Sequence, residues 1–264
     1  MYQTCPKCGH VRQPEDRAPA GQCPACGLIF DKWLKQRFRA AAPSPLPASN
    51  PEPRMGWRER LLPLLLDSRA APDPLLWYAR AAVFLVLLVW GWDFILMDYH
   101  YYLGSQRIDI IAPEIYQSFL HNVNLAFHEA GHMLFRPFGR FMTILGGSLM
   151  QLIMPLVVLL VFLFKERNPF GASVGLWWLG QNLLDLAPYI NDARAGQLPL
   201  IGGVTGSDRP GYHDWTNILG DLGLLASDHA IAGWVDAFGV LLMLLAMIWG
   251  GLLLWRERRA LRGV

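Results

Sequence analysis

After Cys26 the sequence contains no cysteine. All four thiols fall within the first 26 of 264 residues, so no disulfide can staple the rest of the chain, and their clustering speaks for metal. Glutamate is scarce too: beyond His132 there are only Glu166 and Glu257. Charge is missing altogether from Phe141 to Phe164. Phe170 to Ile190 holds one charged residue, Asp185, and Ile231 to Trp255 one, Asp236. Leu75 to Met97 is interrupted only by Arg80 and Asp93. Nothing in residues 1–30 resembles the apolar core of a cleavable leader, and no internal repeat is visible.

About 20 apolar residues cross a hydrocarbon layer of roughly 30 Å, and these four runs meet that length, which argues against a soluble globular chain. A fifth segment, Ser118 to Phe135, carries His121, His128, Glu129 and His132. Ionisable side chains at that depth cost roughly 2.5–3.5 kcal/mol each and are usually kept for function. The sequence therefore predicts an all-α polytopic membrane domain of about five transmembrane helices over residues 57–264. A Pro/Ala-rich linker, 39–56, joins it to a cysteine-bearing module, 1–38. Basic residues gather between Lys32 and Arg60 and again from Arg256 to Arg262. Loop charge sets the N-terminal module, the Arg136–Arg140 turn and the segment after Asp192 on the cytoplasmic side, with Asp98 to Gln117 outside. A fifth crossing then carries the arginine-rich tail outward, against the positive-inside tendency.

Cys5-Pro-Lys-Cys8-Gly and Cys23-Pro-Ala-Cys26-Gly are matching knuckles. In each, two thiolates three positions apart can grip one metal while the glycine relieves the turn. Four thiolates make the closed tetrahedral site of structural zinc, although a rubredoxin-like iron site uses the same ligands. The paired CPxCG and the trailing Leu28-Ile29-Phe30 resemble the zinc ribbons at the N-termini of many bacterial membrane and regulatory proteins. So small a module draws its folding energy from metal. A closed site is not catalytic, and docking of a cytoplasmic protein partner is the role expected of it; no nucleic-acid partner is expected.

His128-Glu129-Ala130-Gly131-His132 is an HExxH sequence. On a helix, positions i and i+4 share a face, so both imidazoles can bind one zinc, and Glu129 projects beside them as a general base toward water activated by the metal. The extended form HExxHxxGxxH is absent, since Phe135 and Phe138 occupy those positions. With glutamate so scarce, aspartate is the remaining third ligand, and Asp185 and Asp192 lie in membrane context. His132 is about 6 Å from its helix end, and Asp192 closes the fourth apolar run at the same level. Asp185 lies roughly 10 Å deeper, so depth selects Asp192.

The arrangement resembles the site-2 protease family of intramembrane zinc metalloproteases, which carry HExxH on one membrane helix and an Asn-x-x-Pro…Asp-Gly motif on a later one. The counterpart here runs from Gln181 to Asp192, with Asn182 and Pro188 inside it and Ala193 in place of the glycine. The resemblance covers roughly Ser118 to Arg194. It implies a zinc endopeptidase acting on a membrane protein substrate in the lipid bilayer, with the bacterial inner membrane as its place and the ribbon in the cytoplasm. It also implies that Asn182 hydrogen-bonds the scissile peptide, an interhelical contact being the alternative.

Two zinc ions are thus expected, one structural and one catalytic. His213, in a polar segment starting on the zinc side, is an alternative ligand, and His121 shares the HExxH face. Gly146-Gly147-Ser148 permits close helix packing. A non-catalytic membrane adaptor or metal sensor is the principal rival reading. The intact Glu129 argues against it, because a structural zinc needs no general base. A zinc transporter would line one path with ionisable groups, which the third and last apolar runs lack.

Overall fold

The computed structural model describes residues 3–40, 56–103 and 118–263. Most of the expected linker and much of the expected outside loop, Asp98 to Gln117, lie outside the described residues. The chain divides into two compact units, Met1–Met55 and Gly56–Val264. Among the described residues there is no β-strand, only isolated bridges.

The first unit is built from the knuckles outward. Antiparallel bridges Thr4–Val11 and Gln22–Ile29 bracket them, and α1 (Phe30–Ala40) follows. Gly9 and Gly27 take φ of +73° and +72°, left-handed values that a side chain resists. Cys5, Cys23 and Phe30 are its buried apolar residues, too few to hold a fold without metal.

The second unit contains α2 (Trp57–Leu66), α3 (Pro74–Leu103), α4 (Phe119–Phe135), α5 (Arg140–Leu160, extended by a π-turn over Val161–Lys165), α6 (Pro169–Asn191), α7 (Asp214–Asp221) and α8 (Asp228–Leu261). Among the described residues, three stretches are long and apolar enough to cross a membrane: Pro74–Leu96, Arg140–Lys165 and Leu225–Leu261. They turn large apolar side chains outward, among them Leu85, Val86, Val157, Trp234 and Ile248. α4 has only 17 residues, and α6 spends its 23 largely against other helices. α6 and α8 cross where Gly180 faces Gly239: a Cβ on either would come within 2.9 Å of the other's carbonyl oxygen. The core stacks in three layers along these helices. Phe94, Trp177, Leu184 and Met243 form the middle one. Leu186, Ile190, Leu219 and Ala232 lie toward one end, and Phe170, Leu253 and Leu254 toward the other.

The two ends are fixed by polar staples. Where α3 begins, α8 finishes: Arg80 Nη1 bonds Glu257 Oε1 at 2.8 Å, and Trp77 Nε1 donates to the Leu254 carbonyl at 3.0 Å. The turn before α6 joins them, with the Arg69 N–H donating to the Arg167 carbonyl at 2.9 Å. At the other end Arg140 reaches Asp221 (2.7 Å) and Asn217 (2.9 Å), and Arg194 pairs with Asp228 at 2.7 Å. The Arg136–Arg140 turn and the segment after Asp192 therefore share an end, as the sequence led us to expect. That end is opposite the start of α3, which the charge reading had set on the same side. The difference arises at α4, which runs parallel to α6, with His121 beside Asp185 and His132 beside Asp214, rather than back toward the start of α3. It also returns the arginine-rich tail to the end where α3 starts.

Candidate metal centre

In the first unit, Cys5 Sγ lies 3.7 Å from Cys26 Sγ, and Cys8 Sγ 3.7 Å from Cys23 Sγ. Tetrahedral zinc with bonds of about 2.3 Å sets its sulfurs roughly 3.8 Å apart, so the cradle fits the ion. The turns do the positioning: the N–H of Gly9 and of Gly27 each return to the carbonyl of the first knuckle cysteine at 2.9 Å. Burial works against a charged Cys5 thiol, but the backbone N–H groups of Cys8 and Lys7 outweigh it and hold its pKa down at about 6. A thiol so biased is ready to act as a ligand.

In the membrane unit, α4 and α5 touch through backbone. A Cβ on Gly131 would sit 2.1 Å from the Gly146 carbonyl oxygen, and one on Gly147 would sit 2.5 Å from His128 Nε2. The glycine pair thus makes the close approach and the space that the two imidazoles fill. Their rings lie 4.8 Å apart, nearly perpendicular. Each uses Nδ1 toward α5: His132 Nδ1 is 2.8 Å from the Thr143 carbonyl, and His128 Nδ1 is 3.1 Å from Gln151 Oε1. A carbonyl oxygen only accepts, so each Nδ1 carries a proton, and in the neutral rings that leaves the Nε2 lone pairs for a metal.

Those lone pairs meet a carboxylate, Asp214. Its Oδ2 stands 2.9 Å from His128 Nε2 and 3.2 Å from His132 Nε2. Donor atoms from His128, His132 and Asp214 converge within 4.8 Å of one another. Two imidazoles and a carboxylate converging in a largely buried place could hold a metal ion. Both are donor types that zinc takes. The group is compatible with zinc.

Depth reasoning had selected Asp192, and the structure brings a different aspartate to the histidines. Asp192 is at the expected level but is occupied elsewhere. Its Oδ1 accepts the Gln197 N–H and its Oδ2 the Leu198 N–H, both at 2.9 Å, closing the turn after α6. His213 does not join the cluster either. Its Nδ1 accepts the Thr216 N–H at 3.2 Å, capping α7, which leaves Nε2 facing Asp192 Oδ2 at 3.4 Å. Both residues therefore support Asp214: one folds the returning loop, and the other fixes the first turn of the helix that presents it. Tyr189 completes the arrangement, its hydroxyl accepting the Asp214 N–H at 3.0 Å. The loop doubles back tightly, with Gly196 at φ +58° against Ser207. Asp208, whose carboxyl is held below its usual range by the Thr205 hydroxyl and N–H, pins the hairpin tip.

Asn182 lies away from this place. It is fully buried on α6, where its Nδ2 donates to the Trp178 carbonyl one turn back on the same helix at 2.9 Å. Asp185 is absent from the cluster as well, although it anchors a polar network one layer out. A cavity of about 550 Å³ joins these parts. It runs from His132 and Tyr212 to His121 and Asp185, and Glu129 lines it beside His128. Its outer wall is Pro199, Leu200 and Ile201.

Asp214 was legible only as the neighbour of the flagged His213. A filter restricted to membrane-depth aspartates discarded it. Comparison with models of protein families, with curated proteins and with solved structures returns no match for this chain.

Proposed function

We propose that the membrane unit is a zinc-dependent endopeptidase that cleaves a membrane-embedded or juxtamembrane protein substrate. The observation that carries this reading is Glu129 in the wall of the cavity, beside the converging donors of His128, His132 and Asp214. When bound there, zinc would supply the Lewis acidity that peptide hydrolysis needs at neutral pH. Glu129 is placed to take a proton from the attacking water and return it to the leaving nitrogen. Asp214, His128 and His132 would hold the ion, and the hydroxyl of Tyr189 fixes the backbone of Asp214. The cavity admits water and an extended peptide while α4, α5 and α6 keep lipid away. In this reading α4 and α6 lie at membrane depth beside the three long apolar helices, embedded without a full crossing by α4. The likeness to site-2 proteases then rests on the HExxH helix, with the third donor delivered from a loop.

The larger cluster of basic residues supports an orientation. Arg69, Arg80, Lys165, Arg167, Arg256, Arg258, Arg259 and Arg262 gather at the end where α3 starts, so that end faces the cytoplasm by the positive-inside rule. The metal centre then opens toward the opposite face, and the ribbon, with its thiolate zinc, serves a cytoplasmic protein partner.

Reconstituted full-length protein incubated with membrane-anchored peptides tests the hydrolase reading. Glu129→Gln should retain both zinc ions and lose activity by about 10²–10⁴-fold, the range for general acid–base catalysis. Equal cleavage by wild type and variant would sink the proposal.

A further inference from the structure

Behind His128 runs a chain of polar groups that the hydrolytic reading does not use. Gln151 on α5 is 4% exposed, and its Oε1 receives the His128 Nδ1 proton at 3.1 Å. Its Nε2 donates to Asp185 Oδ2 at 3.1 Å. Asp185, 3% exposed on α6, is itself held on three sides. The same Oδ2 accepts from Asn124 Nδ2 at 3.1 Å, and Oδ1 pairs with His121 Nδ1 at 2.8 Å. Asn124 is fixed in turn by Gln181 Oε1 at 2.9 Å and by Trp178 Nε1 at 3.0 Å.

An amide is polar end to end, and either end can face a neutral imidazole. With its NH2 toward His128, Gln151 would donate to Nδ1, moving the ring proton to Nε2, where no metal can bind. With its carbonyl toward His128, Nδ1 keeps the proton and Nε2 keeps the lone pair. A carboxylate accepts and never donates, so Asp185 permits only the second orientation. We propose that Asp185 is a positioning residue that selects the metal-binding tautomer of His128 by orienting the side chain of Gln151. This rests on the reading that a metal sits among His128, His132 and Asp214. It explains why a carboxylate is buried between α4, α5 and α6, out of reach of the cluster. His132 needs no such device, because its Nδ1 faces a backbone carbonyl whose direction α5 fixes.

The test uses the full-length, detergent-solubilised chain with serine at Cys5, Cys8, Cys23 and Cys26, so that the histidine site is the remaining strong zinc site. Zinc affinity is read by competition with a chromogenic chelator. Asp185→Leu should weaken binding about 10–100-fold, the usual cost of removing an outer-shell partner. Adding Gln151→Glu should restore most of the loss. A glutamate there accepts the Nδ1 proton through either oxygen and needs no orienting partner. A packing role for Asp185 would not be rescued in this way. Gln151→Leu, which leaves Asp185 bonded to His121 and Asn124, should weaken zinc by a similar factor, so the proposal stays testable if Asp185→Leu fails to fold. Nitrogen-15 histidine spectra of the metal-free chain give a direct readout: one Nδ1–H tautomer for His128 in the parent, a mixture in Asp185→Leu. A mixture in the parent, unchanged affinity in Asp185→Leu, or a double variant no better than the single would overturn the proposal. None of these readouts involves cleavage. A parent that binds zinc in this way yet spares every membrane peptide defeats the endopeptidase reading alone.

Discussion

At the scale of single residues, the candidate metal group joins distant stretches of chain: His128 and His132 come from α4 and Asp214 from the first turn of α7. His128, Glu129 and His132 could be read because a helical repeat of i and i+4 is local. Asp214 lies 82 positions beyond His132, and its approach depends on a chain reversal that no periodicity reports. Asp192 and His213 drew attention for sound reasons and prove to be its supports. Asp214→Ala should therefore reduce zinc from two ions per chain to one, measured by metal analysis of purified protein. Asp192→Ala should keep two ions while destabilising the fold by about 1.5–3 kcal/mol, the worth of hydrogen bonds to a charged acceptor. Complete zinc loss in Asp192→Ala alongside an unchanged Asp214→Ala would reverse the two roles.

At the scale of elements, glycine decides how the site is assembled. Gly147 leaves the volume that the imidazoles occupy, with His128 Nε2 2.5 Å and His132 Cε1 2.7 Å from where its Cβ would be. Gly147→Ala should expel the membrane-unit zinc while the ribbon keeps its own. Gly131→Ala meets unyielding backbone and should cost about 1–3 kcal/mol or more by overpacking. Gly220 on α7 has nothing within 4 Å of its Cβ position, so Gly220→Ala is the control and should leave zinc and melting temperature unharmed. The expected close packing at Gly146 and Gly147 was legible because small residues in an apolar run have few other uses. The character of α6 was harder to read. Gly175, Gly180, Gln181, Asn182 and Asp185 dilute its hydropathy, and they can do so because they face protein rather than lipid.

At the scale of the whole chain, the four-cysteine cluster was the most legible part, since its thiols, turns and trailing apolar residues all lie within 30 positions. The number of crossings was the least legible, because hydropathy cannot separate a short buried helix from a spanning one. Charge still yields a test once the ends are known. In the variant with the four ribbon cysteines replaced by serine, single cysteines at Ser68 and Ser207, both exposed, should label from opposite sides of the membrane. Ser68 is expected to react only from the cytoplasm. Labelling of both from one side would refute the orientation. Strong chelation of the intact protein should remove two ions per chain and unfold the ribbon, because its apolar core is too small to persist alone.

The segment that walls the cavity and the arm that delivers Asp214 are one piece of chain. Pro199 to Ile201 close the outer face, and the same loop runs on through Tyr212 to the third donor. The wall and the donor thus share one connection between α6 and α7 rather than belonging to separate elements.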